Sequence, residues 1–119
     1  MQKILVVEDE PLIRLSLIDA LEDAGFQVIE AGSADDAVSM LEDQTIQFLF
    51  TDIQMPGKLS GIDLAHSVAE RFPAAGIIVA SGRIQPQDVS LPSGAAFFAK
   101  PYSFTDIIGQ LHAWSAPQA

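Results

Sequence analysis

Short apolar runs alternate along the whole chain with longer stretches whose apolar residues recur at helical spacing. Residues 4–7 form a short β-branched run that predicts a buried strand. Similar runs predict four further strands, at 26–30, 46–51, 76–80 and 95–99. The helical stretches predict four helices, which begin at Pro11, after Ser33, near Ile62 and after Ser103. Strands that alternate with helices predict βαβ units around a parallel sheet covered on both faces.

The predicted fold class is therefore α/β, a flavodoxin-like doubly wound sheet of five parallel strands in the order 2-1-3-4-5. Right-handed crossovers leave few other topologies for five strands. This order opens a ligand crevice beyond the carboxyl ends of strands 1 and 3. One connection departs from the pattern, because only 18 residues, two of them proline, separate Ser81 from Lys100. A helix in this connection would be the fourth of five along the chain, and we expect this fourth helix to be short or irregular.

Composition and charge narrow the class of protein. A length of 119 residues suits one domain, here 1–119, and an apolar content of 49% excludes a disordered chain. The formal net charge of −10 argues against binding to nucleic acid or to an anionic membrane. The chain has no cysteine, which excludes thiolate chemistry and suits a reducing compartment. We find neither a signal peptide nor an apolar run long enough for a membrane span, and we expect a cytoplasmic protein.

Polar side chains follow four of the predicted strands at the same edge of the sheet. Glu8 and Asp9 follow strand 1, and Asp52 follows strand 3. Ser81 follows strand 4, and Lys100 follows strand 5. Three carboxylates at neighbouring strand ends repel one another, so the arrangement makes sense only with a bound cation. Oxygen ligands without nearby His or Cys indicate Mg²⁺, or Mn²⁺ in its place.

Groups opposite the acids predict an anion site. Lys100 offers a point charge for a phosphoryl oxygen, and Ser81 offers a hydroxyl. The N–H of Gly82 can approach closely because glycine has no Cβ. Beside a cation and facing these groups, the Asp52 carboxylate can accept a phosphoryl group, since that transfer needs mainly positioning and charge neutralisation.

Four motifs at these strand ends resemble the receiver domain of two-component response regulators, over essentially the whole chain. They are VVEDEP at 6–11, TDIQMPG at 51–57, ASG at 80–82 and AKPY at 99–102. The resemblance implies a signalling phosphoacceptor rather than an enzyme. Its Asp52 would be loaded from a phosphohistidine on a sensor histidine kinase or a histidine phosphotransfer protein. The domain would then switch conformation to signal to an unknown output protein, or pass the phosphate on.

The resemblance also implies a ligand set for the metal. Asp9 and Asp52 would bind Mg²⁺ directly, together with the backbone carbonyl of Gln54. Glu8 would act through a bound water. The peptide bond before Pro101 would be cis, which aims the preceding lysine.

Further roles implied by the resemblance lie around the phosphoryl group. Lys100 would pair with the acceptor carboxylate or its phosphate, and Ser81 would move to bond a phosphoryl oxygen. Tyr102 would be the aromatic that turns inward when Ser81 moves. Gln54 and Arg83 would flank the phosphoryl group and influence dephosphorylation.

Alternatives stay open for single residues and for the whole chain. Ser81 could cap the turn that follows it, and Tyr102 could be an aromatic packed at the sheet edge. An aspartate-nucleophile phosphatase of the haloacid-dehalogenase type would carry an acid where this chain has Gln54. A flavin or nucleotide binder would need a glycine- or hydroxyl-rich loop in place of EDEP. The receiver could be a stand-alone shuttle, sink or switch or part of a longer regulator, and a monomer or weak homodimer.

Overall fold

The computed structural model describes residues 2–55 and 57–115 as a five-stranded sheet with flanking helices. The strands are β1 (Lys3–Val7), β2 (Gln27–Ala31), β3 (Phe48–Asp52), β4 (Gly76–Ser81) and β5 (Ala96–Ala99). The helices are α1 (Pro11–Asp23), α2 (Ala34–Met40), α3 (Gly61–Arg71) and α4 (Phe104–Ser115). All strand pairs are parallel, in the order β2-β1-β3-β4-β5. The predicted fold class is confirmed.

Strand boundaries differ slightly from those predicted, and two differences affect the site. The predicted fourth strand, 76–80, is observed as β4, which includes Ser81. The predicted third strand, 46–51, is observed as β3, which begins at Phe48 and includes Asp52. Asp52 pairs with Ala80 in the ladder between β3 and β4. The position of this carboxylate is therefore set by the sheet itself rather than by the loop that follows.

Alternation along the strands builds a core on each face of the sheet. In β1, Leu5 and Val7 join a buried cluster that contains residues of α2 and α3. Ile4 and Val6 join a second cluster that contains residues of α1 and α4. All four side chains are fully buried. Burial of an aliphatic side chain of this size stabilises a fold by about 1.5–3 kcal/mol, so β1 is held from both faces.

Helix starts follow local capping signals in the sequence. Pro11 occupies the first turn of α1, where its missing N–H costs nothing. The Ser33 hydroxyl accepts a hydrogen bond from the N–H of Asp36 at the start of α2. Ser60 and Asp63 form a reciprocal capping box at the start of α3. Within the described part of the chain, every helix is too short or too polar to cross a membrane.

The connection between β4 and β5 contains a single turn of 3-10 helix, Pro86–Asp88. This finding confirms the expectation of a short or irregular helix between β4 and β5, which here is reduced to three residues. Ile84 and Leu91 are partly buried against the cluster that contains α2 and α3, and Pro92 is buried. The 3-10 turn itself has no buried residue.

Candidate functional site

The carboxyl ends of four strands meet at one edge of the sheet and bring the predicted polar residues together. An open pocket of about 490 Å³ lies there, lined by Asp9, Glu10, Asp52, Gln54, Met55, Gly82, Arg83 and Lys100. Two further predicted residues, Glu8 and Ser81, end or follow strands at the same edge and are buried.

Three acids form a compact cluster beside this pocket. Glu8, Asp9 and Asp52 each offer a carboxylate oxygen, and these oxygens lie within 4.8 Å of one another. Glu8 and Asp52 are buried, whereas Asp9 is partly exposed. Clustered carboxylate oxygens are the ligands that small, hard divalent cations take in proteins. The residues present therefore fit an ion such as Mg²⁺ or Mn²⁺.

Lys100 lies against two of these acids and offsets part of their repulsion. Its Nζ is 2.9 Å from Asp52 Oδ2 and 3.3 Å from Glu8 Oε2. Burial alone would lower the pKa of the Lys100 amine, but the hydrogen bond to Asp52 and the charges of both acids raise it above 10.5. The peptide bond between Lys100 and Pro101 is cis, as predicted.

Glu8 is the most enclosed acid of the cluster, with no exposed surface. Its Oε1 accepts a hydrogen bond from the Glu10 N–H at 3.2 Å, and its Oε2 contacts Lys100. Burial raises the pKa of Glu8 above its ordinary value of 4.5, and the charge of Asp52 adds to this effect. The hydrogen bond from Glu10 and the charge of Lys100 oppose the rise without cancelling it. A bound cation would favour the charged carboxylate.

Ser81 caps the turn that follows β4. Its Oγ accepts hydrogen bonds from the N–H groups of Arg83 and Ile84, at 3.2 and 3.0 Å. These bonds use both lone pairs of the hydroxyl and leave its hydrogen available to a further acceptor. The adjacent Gly82 lines the pocket, where an added Cβ would meet Lys100 Cβ at an ordinary 3.5 Å. Contact with Lys100 therefore does not by itself require glycine at position 82.

Tyr102, which follows β5, packs its ring inward. The ring centroid lies 5.4 Å from that of Phe50 and 6.1 Å from that of Phe104. The phenolic oxygen is buried and finds no hydrogen-bond partner among the residues that the structure describes. Burial, followed by the charges of nearby acids, raises the pKa of Tyr102 well above its ordinary value of 10.0. The site therefore has a neutral, buried hydroxyl beside it.

Two residues that the sequence reasoning missed support the loops of the site. Arg14 of α1 donates from Nη1 to the carbonyl oxygen of Glu8 at 2.6 Å, and from Nε to Glu30 Oε1 at 3.1 Å. Asp35 of α2 contacts the loop between β3 and α3. Charged residues in helix first turns and on helix surfaces are common, so the sequence alone offers no signal that separates these two from solvated neighbours.

Comparisons with known proteins agree with this architecture. Residues 4–112 match the sequence profile of the family described as response regulator receiver domain. The response regulator receiver protein CpdR of Brucella abortus is 31% identical over 115 residues, which span 93% of this chain and 94% of CpdR. The transcriptional regulatory protein PdtaR of Mycobacterium tuberculosis is 31% identical over 110 residues, 90% of this chain. The match covers 53% of PdtaR, so the chain spans about half the length of that relative.

Solved structures of receiver domains share the fold. The response regulator TrrA of Thermotoga maritima, in complex with Mg(2+)-BeF, gives a TM-score of 0.84 at 27% identity, covering 96% of this chain and 99% of that one. A chain from the complex of histidine kinase ThkA with TrrA gives 0.83 at 25% identity, covering 98% and 100%. The profile match over most of the chain and the similarity to CpdR over nearly its whole length establish that the chain belongs to the response regulator receiver domain family of two-component systems.

Proposed function

We propose that the chain is a single receiver domain, 1–119, that accepts a phosphoryl group on Asp52 and thereby changes how it binds a partner. The observation that carries this proposal is the environment of Asp52. Its side chain is 8% exposed, lies beside the pocket, is paired with Lys100 and shares a cluster with Glu8 and Asp9. A carboxylate between a cation-binding cluster and a lysine is suited to phosphoryl transfer, in which catalysis is mostly positioning and electrostatic stabilisation.

In this proposal, Asp9 and Asp52 hold a Mg²⁺ or Mn²⁺ ion directly, with the Gln54 carbonyl as a third protein ligand. Glu8 acts through a water, which suits a carboxylate that is buried and already bound to Lys100. When bound, the ion neutralises charge on the phosphoryl oxygens during transfer. Electrostatic repulsion among the three acids is relieved by the same binding.

The remaining chemistry belongs to the chain's own side chains. A carboxylate oxygen of Asp52 attacks the phosphorus atom of a phosphohistidine on the donor protein. The bond from phosphorus to the imidazole nitrogen breaks, and its electron pair stays with the imidazole. Lys100 then binds a phosphoryl oxygen, with further hydrogen bonds from the Ser81 hydroxyl and the Gly82 N–H. Because the lone pairs of Ser81 Oγ are already used, its hydrogen is the part that is free to interact.

Three more residues, two of which line the pocket, complete the proposal. Gln54 and Arg83 have exposed side chains that line the pocket, and we expect them to flank the phosphoryl group and set the rate of its hydrolysis. Tyr102 is expected to respond to Ser81, since both lie next to the strand ends that carry the site. Its buried hydroxyl lacks a partner within the described residues and gains one if a group moves toward it.

The donor in this proposal is a sensor histidine kinase or a histidine phosphotransfer protein. Support comes from the similar regulator TrrA, whose crystal structure includes the histidine kinase ThkA.

The net charge of −10 disfavours nucleic acid as a direct partner, so the output is assigned to a protein. A chain without cysteine suits the reducing cytoplasm.

Intact-mass measurement with acetyl phosphate and Mg²⁺ tests the proposal. The wild-type protein should gain one base-labile phosphoryl group, and Asp52→Asn should gain none. Asp106→Asn, which removes an exposed acid from the first turn of α4, is the matched control and should behave as wild type. Asp9→Asn should need a higher Mg²⁺ concentration for the same rate. Phosphorylation of Asp52→Asn at the wild-type rate would overturn the assignment.

A further inference from the structure

Asp35 of α2 holds the β3–α3 loop, defined as residues 53–60, with both of its carboxylate oxygens. Oδ2 accepts a hydrogen bond from the Lys58 N–H at 3.1 Å, and Oδ1 accepts one from the Leu59 N–H at 3.0 Å. The two partners lie 23 and 24 residues away along the chain. Hydrogen bonds to a charged acceptor are about twice as strong as those between neutral groups. The contact is therefore a specific tie between a helix and the loop.

Glycine at position 57 leaves room for the Asp35 carboxylate to lie against the loop. Its φ of +123° lies in the region that residues with a side chain rarely adopt. A Cβ at Gly57 would approach Asp35 Oδ2 to 3.0 Å, which is closer than such atoms ordinarily come. The backbone thus bends at Gly57 and then presents two successive N–H groups, of Lys58 and Leu59, to one acid.

The loop is fixed at its base by contacts that do not involve Asp35. The Gly61 N–H donates to the Ile53 carbonyl at 3.0 Å, and a Cβ on Gly61 would overlap the carbonyl oxygen of Asp52. Ser60 begins α3 as its capping residue. With both ends of the loop pinned, the tie to Asp35 restrains the loop residues that the structure describes, 53–55 and 57–60.

Gln54 lies between these fixed points, and its carbonyl is the third metal ligand of the proposed function. We propose that Asp35 is a positioning residue for the metal site, because it fixes the loop that presents the Gln54 carbonyl. This inference rests on the proposed function. Coupling between two sites is reciprocal, so a bound ion must strengthen the tie between Asp35 and the loop as much as the tie strengthens ion binding.

The neighbouring acid Asp36 provides a matched control for charge. It occupies the same first turn of α2 and is exposed, and its backbone N–H donates to the Ser33 hydroxyl. Its carboxylate makes no hydrogen bond to another residue that the structure describes. Replacing either acid by alanine removes one negative charge from the same helix turn. Only the replacement of Asp35 removes the acceptors for Lys58 and Leu59.

Calorimetric titration of the unphosphorylated protein with Mg²⁺ is the first test. We expect Asp35→Ala to weaken Mg²⁺ binding on the order of tenfold, within the usual range of coupling between sites. Asp35→Asn keeps one acceptor oxygen, so its Mg²⁺ affinity should lie between those of Asp35→Ala and wild type. This variant also serves as the test if Asp35→Ala folds poorly. Asp36→Ala should change the affinity less than about twofold, since it removes charge without a tie.

Amide hydrogen exchange is the second test, and its metal-free arm is independent of the ion. The N–H groups of Lys58 and Leu59 should lose protection in Asp35→Ala but not in Asp36→Ala. In the wild-type protein, Mg²⁺ should increase their protection. Equal Mg²⁺ affinity in Asp35→Ala and wild type would overturn the inference while the phosphorylation of Asp52 stands. A wild-type protein that binds no Mg²⁺ would overturn the inference together with the metal site of the proposed function.

Discussion

Two connections leave the same edge of the sheet, and they are built differently. The β3–α3 loop leads into the eleven-residue helix α3, is closed at its base by Gly61, and is tied at residues 58–59 to Asp35. The connection from β4 to β5, residues 82–95, contains only the 3-10 turn Pro86–Asp88. Both connections line the pocket, so its two walls differ in how firmly they are held.

The β4–β5 connection is attached at a few separate points. Its first turn is held by the Ser81 hydroxyl, and the His66 ring of α3 lies 2.7 Å from the Ser90 carbonyl oxygen. Ile84 and Leu91 pack partly buried against the core, while the turn between them is exposed. Segments with few buried contacts open at the lowest free energy. The pocket thus has a preorganised wall formed by the β3–α3 loop, on the proposed metal side, and a wall on the other side that can adjust to a new group.

The largest expected difference between the two walls concerns their glycines. A Cβ on Gly61 would overlap the backbone carbonyl oxygen of Asp52, and a backbone atom cannot rotate away. A Cβ on Gly94 has nothing within 4 Å, although its φ of +82° adds local strain. We expect Gly61→Ala to lower the free energy of unfolding by about 3 kcal/mol and Gly94→Ala by about 1 kcal/mol. Urea denaturation measures both values.

If the β3–α3 loop is held more firmly than the β4–β5 connection, Gly61→Ala must lower the free energy of unfolding more than Gly94→Ala does. If Gly94→Ala costs as much as Gly61→Ala, the β4–β5 connection is held as firmly as the metal-side loop. A Gly61→Ala protein that is too unstable to purify would agree with the expected order, provided that Gly94→Ala folds normally.

Hydrogen exchange should show the next largest difference. In the free protein, we expect the amides of 83–92 to exchange on the order of tenfold faster than those of 57–60, which corresponds to about 1.4 kcal/mol in opening free energy. With Mg²⁺ and beryllofluoride, a phosphoryl mimic, exchange in 83–92 should slow because Ser81 and Gly82 engage the mimic. Protection like that of a core helix in the free protein, unchanged by the mimic, would show that the segment is rigid.

The sequence predicted the parts of this comparison that depend on local pattern. The buried strands follow from short apolar runs, and the polar residues at strand ends converge because parallel strands share a carboxyl edge. The short helix between β4 and β5 is predicted because only 18 residues, two of them proline, separate Ser81 from Lys100. Local pattern also placed the cap at Ser33, whose partner lies three residues away.

Contacts between distant segments were not predictable in the same way. The tie from Asp35 joins residues 23 apart, and an acid in a first helical turn is favourable in any helix because of the helix dipole. One local choice was also left open by the sequence. Whether Ser81 caps a turn depends on where the N–H groups of Arg83 and Ile84 point, although they lie only two and three residues away. Only the folded backbone fixes that direction.

The smallest expected change in stability is that of Tyr102→Phe, which compares hydrogen bonding on the two sides of the pocket. On the metal side, the N–H groups of Lys58 and Leu59 have Asp35 as their acceptor. On the other side, the buried Tyr102 hydroxyl has no partner within the described residues. Tyr102→Phe removes the hydroxyl and keeps the ring on Phe50. We expect the free energy of unfolding at neutral pH to rise by up to about 1 kcal/mol, because an unsatisfied buried group is lost.

The same variant has a signature at alkaline pH. Burial, with the charges of nearby acids, raises the pKa of Tyr102 above its ordinary value of 10.0, so above that pH the folded protein holds this proton more tightly than the unfolded chain does. Stability must therefore fall as pH rises above 10.0. The raised pKa of Lys100 acts in the same direction above 10.5, so Tyr102→Phe should keep part of this loss but show a shallower decline. Urea denaturation across this pH range compares the two slopes. Equal slopes would show that the pKa of Tyr102 is not raised in the folded protein. A clear loss of stability at neutral pH would show that the hydroxyl is hydrogen-bonded there, and either result would overturn the contrast with the N–H groups of Lys58 and Leu59.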